Sequence, residues 1–373
     1  MKVLHLLDSV NRGGAEAQAL DVCRNAERFG LKMTLVTAHG GTLERDFRDS
    51  GVEYIRLSRK LPVDVYFASQ IRKIIKEREI EIVQGYQAVD GMHLYLAARG
   101  LKNVRRVLSF QGYIADRRNR LASKFLIPRM DANIAVSRSM RDWLRDVDGL
   151  DTDQNFSVIY NGADPERVKP TENSFRNEMN FPADALLIGM IGNFYRDPRK
   201  DQLTVCRALP AVFAEFKNAQ CVFAGRIEDG AEGKMADCIN VCIENGIADR
   251  VHFLGGRSDV PDILAALDVF VFSSLHEGLP VAVSEAMLAG VPMIVSNIGP
   301  LLEATGDGEF AEVFQVGSHQ ELCEKLLHLL RDPSARDDLS RRAKQFALEN
   351  FSIDAHMREL MDLYRRVRSR SRL

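Results

Sequence analysis

The chain has 373 residues, of which 46% are hydrophobic and 27% charged, with 50 basic and 52 acidic side chains. These values are typical of a folded globular protein of about two domains, and they exclude a disordered chain. A formal net charge of −2 argues against a general nucleic-acid binder.

The hydrophobic segments predict neither a membrane span nor a secretory leader. The longest, Ile263–Leu275 and Val281–Val295, are interrupted by Asp268 and Glu285 and stay well below about 20 apolar residues. The six cysteines are scattered and form no C-x-x-C pair, which favours buried, reduced thiols over a zinc site. We therefore expect a cytoplasmic protein.

The first half of the chain alternates short apolar runs with amphipathic segments. The run Lys2–Leu7 leads into a turn with Gly13 and Gly14 and a helical stretch that stops at Gly30. Because the runs are apolar along their whole length, we expect strands covered on both faces, and hence a parallel sheet flanked by helices. Further strands are predicted at 31–37, 52–57, 80–84, 104–110 and 132–136, with a helix over 65–78 that Asp64 caps.

The second half repeats this pattern after an acidic and polar break. Residues 146–155 and 165–180 are interpreted as a solvated linker and the domain junction. We predict an α/β domain at 1–165 and another at 166–351, each with a doubly wound parallel sheet. Two such Rossmann-like halves facing each other would form a cleft at the carboxyl ends of their strands, where such folds bind ligands. Strands are predicted at 186–192, 220–225, 251–255, 268–272 and 292–296, with a helix from about Lys200 and a helical tail from about Ser318.

Two carboxylates stand around one predicted strand–helix turn. Glu277 lies in the loop after a strand, Pro280 opens the following helix, and Glu285 lies further along that helix among apolar residues. Ionised carboxylates accept several hydrogen bonds, and the backbone NH groups of Gly278 and Leu279 can hold a negative oxygen. The segment therefore favours a ligand that carries both hydroxyl and anionic groups.

A basic loop follows the first strand of the second half. Arg196 and Arg199 lie in the loop, and Lys200 falls at the predicted start of a helix, where a cation opposes the helix dipole. This position makes better sense if an anion binds there too. In the first half, Gly14 lets the first strand–helix turn approach a ligand closely. The chain contains neither G-x-G-x-x-G nor G-x-x-x-x-G-K-[ST], which argues against a nicotinamide dehydrogenase or a P-loop enzyme.

Several short motifs occur in one order along nearly the whole chain. They are GGAE at 13–16, AVS at 135–137, IYNGAD at 159–164, GNF at 192–194 with RK at 199–200, VHFLGGRSDVPDIL at 251–264, and EGLP at 277–280 with Glu285. This ordered set resembles the GT-B glycosyltransferases of family four, for which two glutamates separated by seven residues are the best-known signature.

The resemblance implies an architecture and an activity. The family has two Rossmann-like domains and a final helix, here about 352–373, that crosses back to the first domain. Its members transfer a sugar from a nucleotide-sugar to an acceptor with retention of the anomeric configuration. We expect no cofactor beyond this co-substrate, a UDP-linked donor, and no requirement for metal. The sugar, the acceptor and the linkage stay open.

The resemblance also implies roles for the matched residues. Lys200, helped by Arg196, would neutralise the donor pyrophosphate, and Glu277 would hold hydroxyls of the transferred sugar. The remaining donor contacts would come from Gly14, Asn193, Gly278, Leu279, Pro280 and Glu285, the last of them on the nucleotide ribose.

Two positions depart from the family pattern. Asn193 stands where many members have an arginine, and Arg196 is the expected substitute. Gln111, in the segment SFQGY, stands where many members have a histidine. It either contacts a donor or acceptor sugar or is a loop residue without a role. His276, beside Glu277, is the histidine expected to reach a sugar.

Two aspartate pairs imitate the D-x-D pattern of metal-dependent transferases. Asp146 with Asp148, and Asp151 with Asp153, are interpreted as parts of the solvated linker, because such short motifs often match by chance. Since the implied pyrophosphate contacts are basic side chains, no metal site is predicted. Structural roles are expected for three further histidines, His5, His93 and His252.

A basic stretch points to the acceptor side. Between Arg99 and Arg129 there are nine basic residues and one acidic residue, with apolar residues interleaved. Such a segment can lie on an anionic membrane surface, and the arginine-rich tail 364–373 could assist. It can equally be a solvated face or the docking site of a charged acceptor. We expect a glycan or lipid-linked acceptor, with peripheral contact at the inner membrane surface as an open alternative.

Two other functions compete with glycosyl transfer. One is a catalytically idle subunit that binds a nucleotide-sugar and activates a partner, and the other is a nucleotide-sugar epimerase on the same scaffold. The presence of Glu277, Glu285 and Lys200 argues against an idle site, and no acid/base set for an epimerase is evident.

Overall fold

The computed structural model describes residues 1–114, 116–171 and 175–369. The chain divides into two compact units. Unit 1 comprises Met1–Ala163 together with Ile353–Leu373, and unit 2 comprises Asp164–Ser352. In sequence, unit 2 is therefore inserted before the last segment of unit 1.

Over its described residues, unit 1 is built on a parallel sheet of seven strands. They are β1 (Lys2–Leu7), β2 (Lys32–Thr37), β3 (Glu53–Arg56), β4 (Ile82–Gly85), β5 (Arg105–Phe110), β6 (Ala132–Ala135) and β7 (Phe156–Val158). Their order is β3-β2-β1-β4-β5-β6-β7, and at the centre His5 lies opposite Leu35 of β2 and Gln84 of β4. The chain starts in the middle of the sheet and builds outwards to each edge in turn, which is a doubly wound arrangement.

Three helices of unit 1 begin at polar caps that the sequence supplies. Asp64 accepts a hydrogen bond from Phe67 N at 3.0 Å, and Asp116 and Ser137 cap later helices in the same way. The helices are α1 (Gly14–Asn25), α2 (Glu44–Arg48), α3 (Val65–Glu77), α4 (Ala88–Ala98), α5 (Arg117–Leu126) and α6 (Arg138–Asp146).

Unit 2 repeats the design with six parallel strands in the part that the structure describes. They are β8 (Leu187–Ile191), β9 (Gln220–Ala224), β10 (Val251–Gly255), β11 (Val269–Phe272), β12 (Met293–Ser296) and β13 (Glu312–Phe314). Their order is β10-β9-β8-β11-β12-β13, and Gly189 of β8 lies opposite Val222 of β9 and Phe270 of β11. The helices are α7 (Phe175–Glu178), α8 (Gln202–Glu215), α9 (Glu232–Glu244), α10 (Val260–Ala266), α11 (Val281–Ala289), α12 (Gly299–Ala304), α13 (His319–Arg331) and α14 (Pro333–Asn350).

The last helix, α15 (Ile353–Ser369), belongs to the core of unit 1. Its apolar face, which includes Met357, Leu360 and Tyr364, packs into the cluster that also contains Val3 and Leu35. The helix therefore returns to the first domain, as the resemblance implies. None of the helices in the described ranges is long and apolar enough to cross a membrane.

The predicted pair of doubly wound parallel sheets is confirmed, with two local corrections. The strands β7 and β13 were not expected; each has three residues and lies at a sheet edge. The interpretation of 146–155 as solvated is wrong for Asp148, which is 3% exposed and lies 2.9 Å from the guanidinium of Arg120. That segment belongs to unit 1, and the arginine that pairs with Asp148 lies on α5.

Candidate functional site

The carboxyl edge of the unit 2 sheet collects the predicted donor-site residues. The connection after β8 leads to β9, and the connection after β11 leads to β12 on the opposite side of the sheet. In a doubly wound sheet, the point between two such strands is the switch point at which ligands bind. Lys200 follows β8 and Glu277 follows β11, so both residues lie at this point.

Lys200 and Glu277 form a buried ion pair at the switch point. Lys200 Nζ contacts Glu277 Oε1, and the two side chains are 8% and 11% exposed. The ammonium also lies 4.0 Å from the centre of the Phe272 ring, where the face of the ring attracts a cation. The structure therefore brings together two residues that the sequence predicts to act on one ligand.

Ser274 completes this arrangement, although the sequence pattern does not single it out. Its hydroxyl lies 2.7 Å from Glu277 Oε1 and also contacts the carbonyl oxygen of Arg199. Lys200 and Ser274 form an antiparallel backbone bridge, and Leu275 N donates to the Arg199 carbonyl oxygen at 2.8 Å. The loops after β8 and β11 are thus fastened together, which fixes the ion pair.

The surroundings of Lys200 affect its charge. Burial lowers the pKa of the ammonium, and the neighbouring Glu277 carboxylate opposes this effect. A positive charge in low-dielectric surroundings interacts strongly with any further negative charge that comes near it. The site is therefore suited to an anionic ligand.

Two helices begin beside the pair, slightly later than predicted. The first turn of α8 begins at Gln202 and is capped by the side chain of Asp201, so Lys200 precedes the helix and does not lie in its first turn. Pro280 is likewise the cap residue, and α11 begins at Val281. The correction has a physical reason, because an aspartate is a far better cap than a lysine.

Glu285 lies one turn into α11 and is 7% exposed. Its Oε1 lies 2.7 Å from the guanidinium of Arg167, which comes from the first residues of unit 2. Arg167 was missed from the sequence, because nothing in the polar stretch after residue 165 connects it with α11. Gly278 and Leu279, which precede the helix, are buried.

The cations of the loop after β8 differ in their surroundings. Arg199 pairs with Asp197 at 2.5 Å and lies over the ring of Tyr195 at 4.7 Å. This pairing lowers the pKa of Asp197 to about 2. Arg196 is exposed, and its side chain lies along Gly230. The charge of Arg199 is therefore balanced within the loop.

Asn193 and His276 lie on the same edge of unit 2. Asn193 Oδ1 accepts a hydrogen bond from Arg226 N at 2.9 Å, which ties the loop after β8 to the loop after β9. His276 Nε2 lies 4.0 Å from Asp197 Oδ1, and burial lowers the pKa of its imidazole. His276 is therefore mainly neutral at pH 7 and can act as a hydrogen-bonding group.

Two predicted residues belong to unit 1. Gly14 is the first residue of α1 and follows the extended Gly13. Gln111 follows β5, and its Nε2 donates to Ser109 Oγ at 2.9 Å. Gln111 Oε1 is buried and has no hydrogen-bond partner among the described residues. The Gln111 amide oxygen is therefore an unsatisfied hydrogen-bond acceptor next to the carboxyl edge of the unit 1 sheet.

A charged cluster on this edge was missed from the sequence. The Asp8 carboxylate lies 2.6 Å from the guanidinium of Arg59 and 3.4 Å from His39 Nδ1. Burial, together with the charge of Asp8, raises the pKa of the nearby Asp90 carboxyl. Asp8, Arg59 and His39 follow β1, β3 and β2, respectively. They are far apart in sequence, and only the order of the strands brings them together.

The structure reduces the charge excess of the basic stretch 99–129. Arg105 and Arg106 lie 3.8 and 3.7 Å from the Asp131 carboxylate, and Arg120 pairs with Asp148. Both carboxylates lie outside the stretch, so a count along the sequence does not include them. Residues 370–373 of the arginine-rich tail lie outside the described residues.

Side chains that could ligate a metal are dispersed. Within the ranges that the structure describes, no group of three His, Cys, Asp or Glu side chains is arranged to hold a metal ion. The predicted independence from metal stays a prediction.

Two family models match the chain. The model described as Glycosyltransferase Family 4 matches residues 12–167, and the model described as Glycosyl transferases group 1 matches residues 171–346. The two matches follow the division into unit 1 and unit 2 closely.

Known proteins resemble the chain over nearly its full length. The lipopolysaccharide core biosynthesis glycosyltransferase LpsD of Rhizobium meliloti is 23% identical, over 98% of both proteins. The UDP-Gal:alpha-D-GlcNAc-diphosphoundecaprenol alpha-1,3-galactosyltransferase of Escherichia coli is 26% identical, over 98% of this chain and 95% of that protein. The structure of Anabaena HepE in complex with UDP has a TM-score of 0.83 at 18% identity, over 97% of this chain and 99% of that chain, so the fold is shared.

Proposed function

The chain belongs to the GT-B glycosyltransferases of family four, and from this membership and its unit 2 site we infer that it is a retaining enzyme. It would move a sugar from a nucleotide-sugar donor to a glycan, lipid-linked or small-molecule acceptor and keep the anomeric configuration. The observation that carries this proposal is the buried Lys200–Glu277 pair at the switch point of the unit 2 sheet.

The positive charge of Lys200 would act on the leaving group. As the anomeric bond breaks, negative charge grows on the departing diphosphate, and a prearranged charge that stabilises it is usually the largest catalytic term. Glu277 and Phe272 hold the ammonium in position before any substrate binds. Arg196, exposed on the same loop, would add a second positive charge.

Glu277 would hold the transferred sugar. Its Oε1 is engaged with Lys200 and Ser274, so Oε2 would accept hydrogen bonds from sugar hydroxyls. The NH groups of Gly278 and Leu279, just before α11, would face the sugar and the phosphate. One carboxylate would thus orient the sugar and the lysine together.

Glu285 would bind the nucleotide ribose in a similar way. Arg167 lies against its Oε1 and keeps a charge-balanced carboxylate in a buried position. The second oxygen would accept the ribose hydroxyls. The donor contacts of Gly14, Asn193 and Pro280, and the sugar contacts of Gln111 and His276, stay predictions.

Proton transfer in this proposal needs no side-chain base. In a front-face transfer, a departing phosphate oxygen takes the proton of the acceptor hydroxyl. Basic side chains would balance the diphosphate charge, so we propose that no divalent cation takes part.

A UDP-linked donor and a lipid-linked acceptor are supported by the named relatives. The Escherichia coli relative is named for UDP-Gal and for an acceptor on diphosphoundecaprenol, and HepE was crystallised with UDP. Because such acceptors lie in a membrane, we propose that the protein works in the cytoplasm at an anionic membrane surface, with the basic residues of α5 facing the lipid. A panel of nucleotide-sugars in thermal unfolding experiments identifies the donor, because a bound donor raises the melting temperature.

Removal of the Lys200 charge tests the proposal. We expect Lys200→Ala to lower kcat about 100-fold to 1,000-fold, because the diphosphate loses a fixed positive charge in the transition state. Turnover of the nucleotide-sugar is measured by release of the nucleotide, and the configuration of the product is measured by NMR.

Lys217→Ala is the matched control, since Lys217 is an exposed lysine of the same unit. It should leave kcat unchanged. Near-normal turnover in a folded Lys200→Ala variant would contradict the role of Lys200, and an inverted product would contradict retention.

A further inference from the structure

Four apolar side chains are exposed together at the carboxyl edge of unit 1. They lie in the loop between β3 and α3 and in the first turn of α3. A group of neighbouring apolar side chains that is exposed to water marks an interaction site. The exposed fractions are 61% for Leu61, 48% for Val63, 72% for Val65 and 70% for Tyr66.

This exposure is built into a fixed loop. Asp64, which is buried between the apolar residues, accepts hydrogen bonds from Lys60 N at 2.9 Å and from Phe67 N at 3.0 Å. Its own NH donates to His93 Nε2 at 2.9 Å. Arg59, at the start of the segment, is paired with the Asp8 carboxylate of the charged cluster. Hydrogen bonds of Asp64 thus fix the backbone of the loop, while the apolar side chains on either side of Asp64 are exposed to water.

The chemistry of this surface matches the interface of an anionic bilayer. Tyr66 combines an aromatic ring with a hydroxyl, the combination that favours the headgroup level of a membrane. Lys60 is exposed beside Leu61. Lys73, two helical turns after Tyr66, is 75% exposed and lies 3.7 Å from the Glu77 carboxylate. Apolar side chains with cations beside them bind lipid by insertion and by attraction to negative headgroups together.

The neighbouring helices carry the same combination. Contacts join α4 to both α3 and α5. On α5, Leu121 and Phe125 are exposed hydrophobic residues, and Arg117 and Arg118 lie at its first turn. The starts of α3 and α5 follow the carboxyl ends of β3 and β5, so both lie on the same edge of the sheet. The apolar loop and the start of α5 in the basic stretch therefore lie at the same edge of unit 1.

We propose that Leu61, Val63, Val65 and Tyr66 insert into the interface of an anionic bilayer and seat unit 1 on it. This proposal rests on the proposed function, in which a lipid-linked acceptor is used at a membrane surface. The charge of the basic stretch would attract the protein, and the insertion of the loop would hold it there even at high salt.

Vesicle binding tests the proposal without donor or acceptor. The probes are vesicles of phosphatidylcholine, with and without phosphatidylglycerol, sedimented with the full-length protein at low and high salt. We expect binding to the anionic vesicles that partly survives high salt. The double variant Leu61→Ser/Val65→Ser should bind them at least about tenfold more weakly, because two inserted apolar side chains are lost.

Ile243→Ser is the matched control, since Ile243 is 60% exposed on α9 of unit 2. It should leave vesicle binding unchanged. All substituted side chains are exposed, so unchanged melting temperatures are expected and show that folding is intact. Equal binding by the wild type and the double variant, or no binding by the wild type, overturns the proposal.

Fluorescence distinguishes insertion from surface attraction. The chain has one tryptophan, Trp143, so a Trp143→Phe background removes the native signal. In that background, Val65→Trp should shift its emission to the blue when anionic vesicles are added, and Ile243→Trp should not. An unshifted Val65→Trp emission on bound vesicles overturns insertion. Self-association that depends on Val65 in the absence of lipid overturns it too, in favour of an interface between copies.

The two proposals fail separately. Thermal stabilisation by a nucleotide-sugar tests donor binding in unit 2 and needs no lipid. A double variant that keeps this stabilisation and loses the vesicles supports the loop proposal. A wild type that binds vesicles but no nucleotide-sugar would contradict the proposed function alone.

Discussion

Three different kinds of group position the ammonium of Lys200, two of them directly and one through Glu277. A carboxylate and an aromatic face contact its ammonium, while the Ser274 hydroxyl fixes the carboxylate. Removing two charges from water is costly, and the cost is recovered only if their geometry is well fixed. The bridge between the two loops supplies this geometry.

The charged residues of this site could be predicted from the sequence, but the residues that contact and position them could not. Glu277, Glu285 and Lys200 stand in recognisable motifs. Ser274 and Arg167 do not. Ser274 lies only three positions before Glu277, but its other partner, the Arg199 carbonyl oxygen, comes from the loop after β8. Arg167 is 118 positions away from Glu285 in sequence yet lies 2.7 Å from it. Such contacts follow from the tertiary fold and leave no local pattern.

Two histidines make unit 1 sensitive to acid. His5 contacts the hydroxyl groups of Tyr86 and Tyr364 at 2.8 Å, and burial lowers its pKa from 6.5 to about 3. His356 donates to the Tyr160 carbonyl oxygen, and burial lowers its pKa to about 4. The neutral His5 ring joins β1 to α15, and the neutral His356 ring joins α15 to α1 and to the segment after β7.

The sign of the pH effect follows from these directions. The folded state keeps both histidines neutral, whereas the unfolded state binds protons below about pH 6.5, so acid favours unfolding. Each histidine contributes a loss of about 1.4 kcal/mol per pH unit between pH 6.5 and its folded pKa.

The variant His356→Gln isolates one of these contributions. It should lose less stability than the wild type as pH falls from 6.5 to 4, with a difference in slope of about 1.4 kcal/mol per pH unit. Urea unfolding at several pH values measures it. The half-exposed His328 provides the control His328→Gln, and parallel slopes for the wild type and His356→Gln would contradict the role of His356.

At the scale of elements, the loops after β8 and β9 are interlocked. Asn193 Oδ1 binds Arg226 N, and a Cβ atom on Gly225 would lie 2.2 Å from the Gly192 carbonyl oxygen. Only a residue without a side chain allows the two backbones to come so close. The loop that carries Arg196 and Lys200 therefore depends on a glycine in the neighbouring strand–helix connection.

Gly225→Ala tests this dependence. The added methyl group meets backbone atoms that cannot move aside, so we expect a loss of about 1–3 kcal/mol in the unfolding free energy. A lower kcat is expected as well, because the basic loop is displaced. The control Gly233→Ala lies in α9 with no atom within 4 Å of the added carbon and should be neutral or stabilising. Equal melting temperatures for the two variants would refute the steric account.

The strands that were predicted and those that were missed differ in their surroundings. Central strands such as β1 and β9 match the predicted spans to within one residue, because both of their faces are covered and their sequences are mainly apolar. The short edge strands β7 and β13 contain only three residues, one of them polar or charged. Their pairing depends on the neighbouring strand, which a local pattern does not reveal.

At the scale of the molecule, unit 1 is completed by the end of the chain. The side chain of Tyr364 is fully buried, and its hydroxyl donates to Gln84 Oε1 at 2.8 Å and lies 2.8 Å from His5 Nε2. Where the chain re-enters unit 1, Ile353 N donates to the Ala163 carbonyl oxygen at 2.8 Å. The two ends of the unit 2 insertion therefore meet within unit 1.

A chain that ends at Ser352 should lose unit 1 selectively. Without α15, the apolar cluster of unit 1 is open to water, so its unfolding transition should shift down by tens of degrees or disappear. Unit 2 keeps its whole core and should retain its transition in calorimetry. A chain that ends at Ser369 keeps all of α15 and serves as the control. Loss of both transitions together would show that the units do not unfold independently.

The return of the chain to unit 1 has a consequence during translation. The ribosome makes residues 1–163 first, but the helix that closes their core emerges only after all of unit 2. At about 5–20 residues per second, this delay lasts roughly 10–40 s. During that time the nascent chain exposes the groove that α15 later fills, which is a surface that a chaperone can bind. Of the two units, the one that is synthesised first is thus the last to mature.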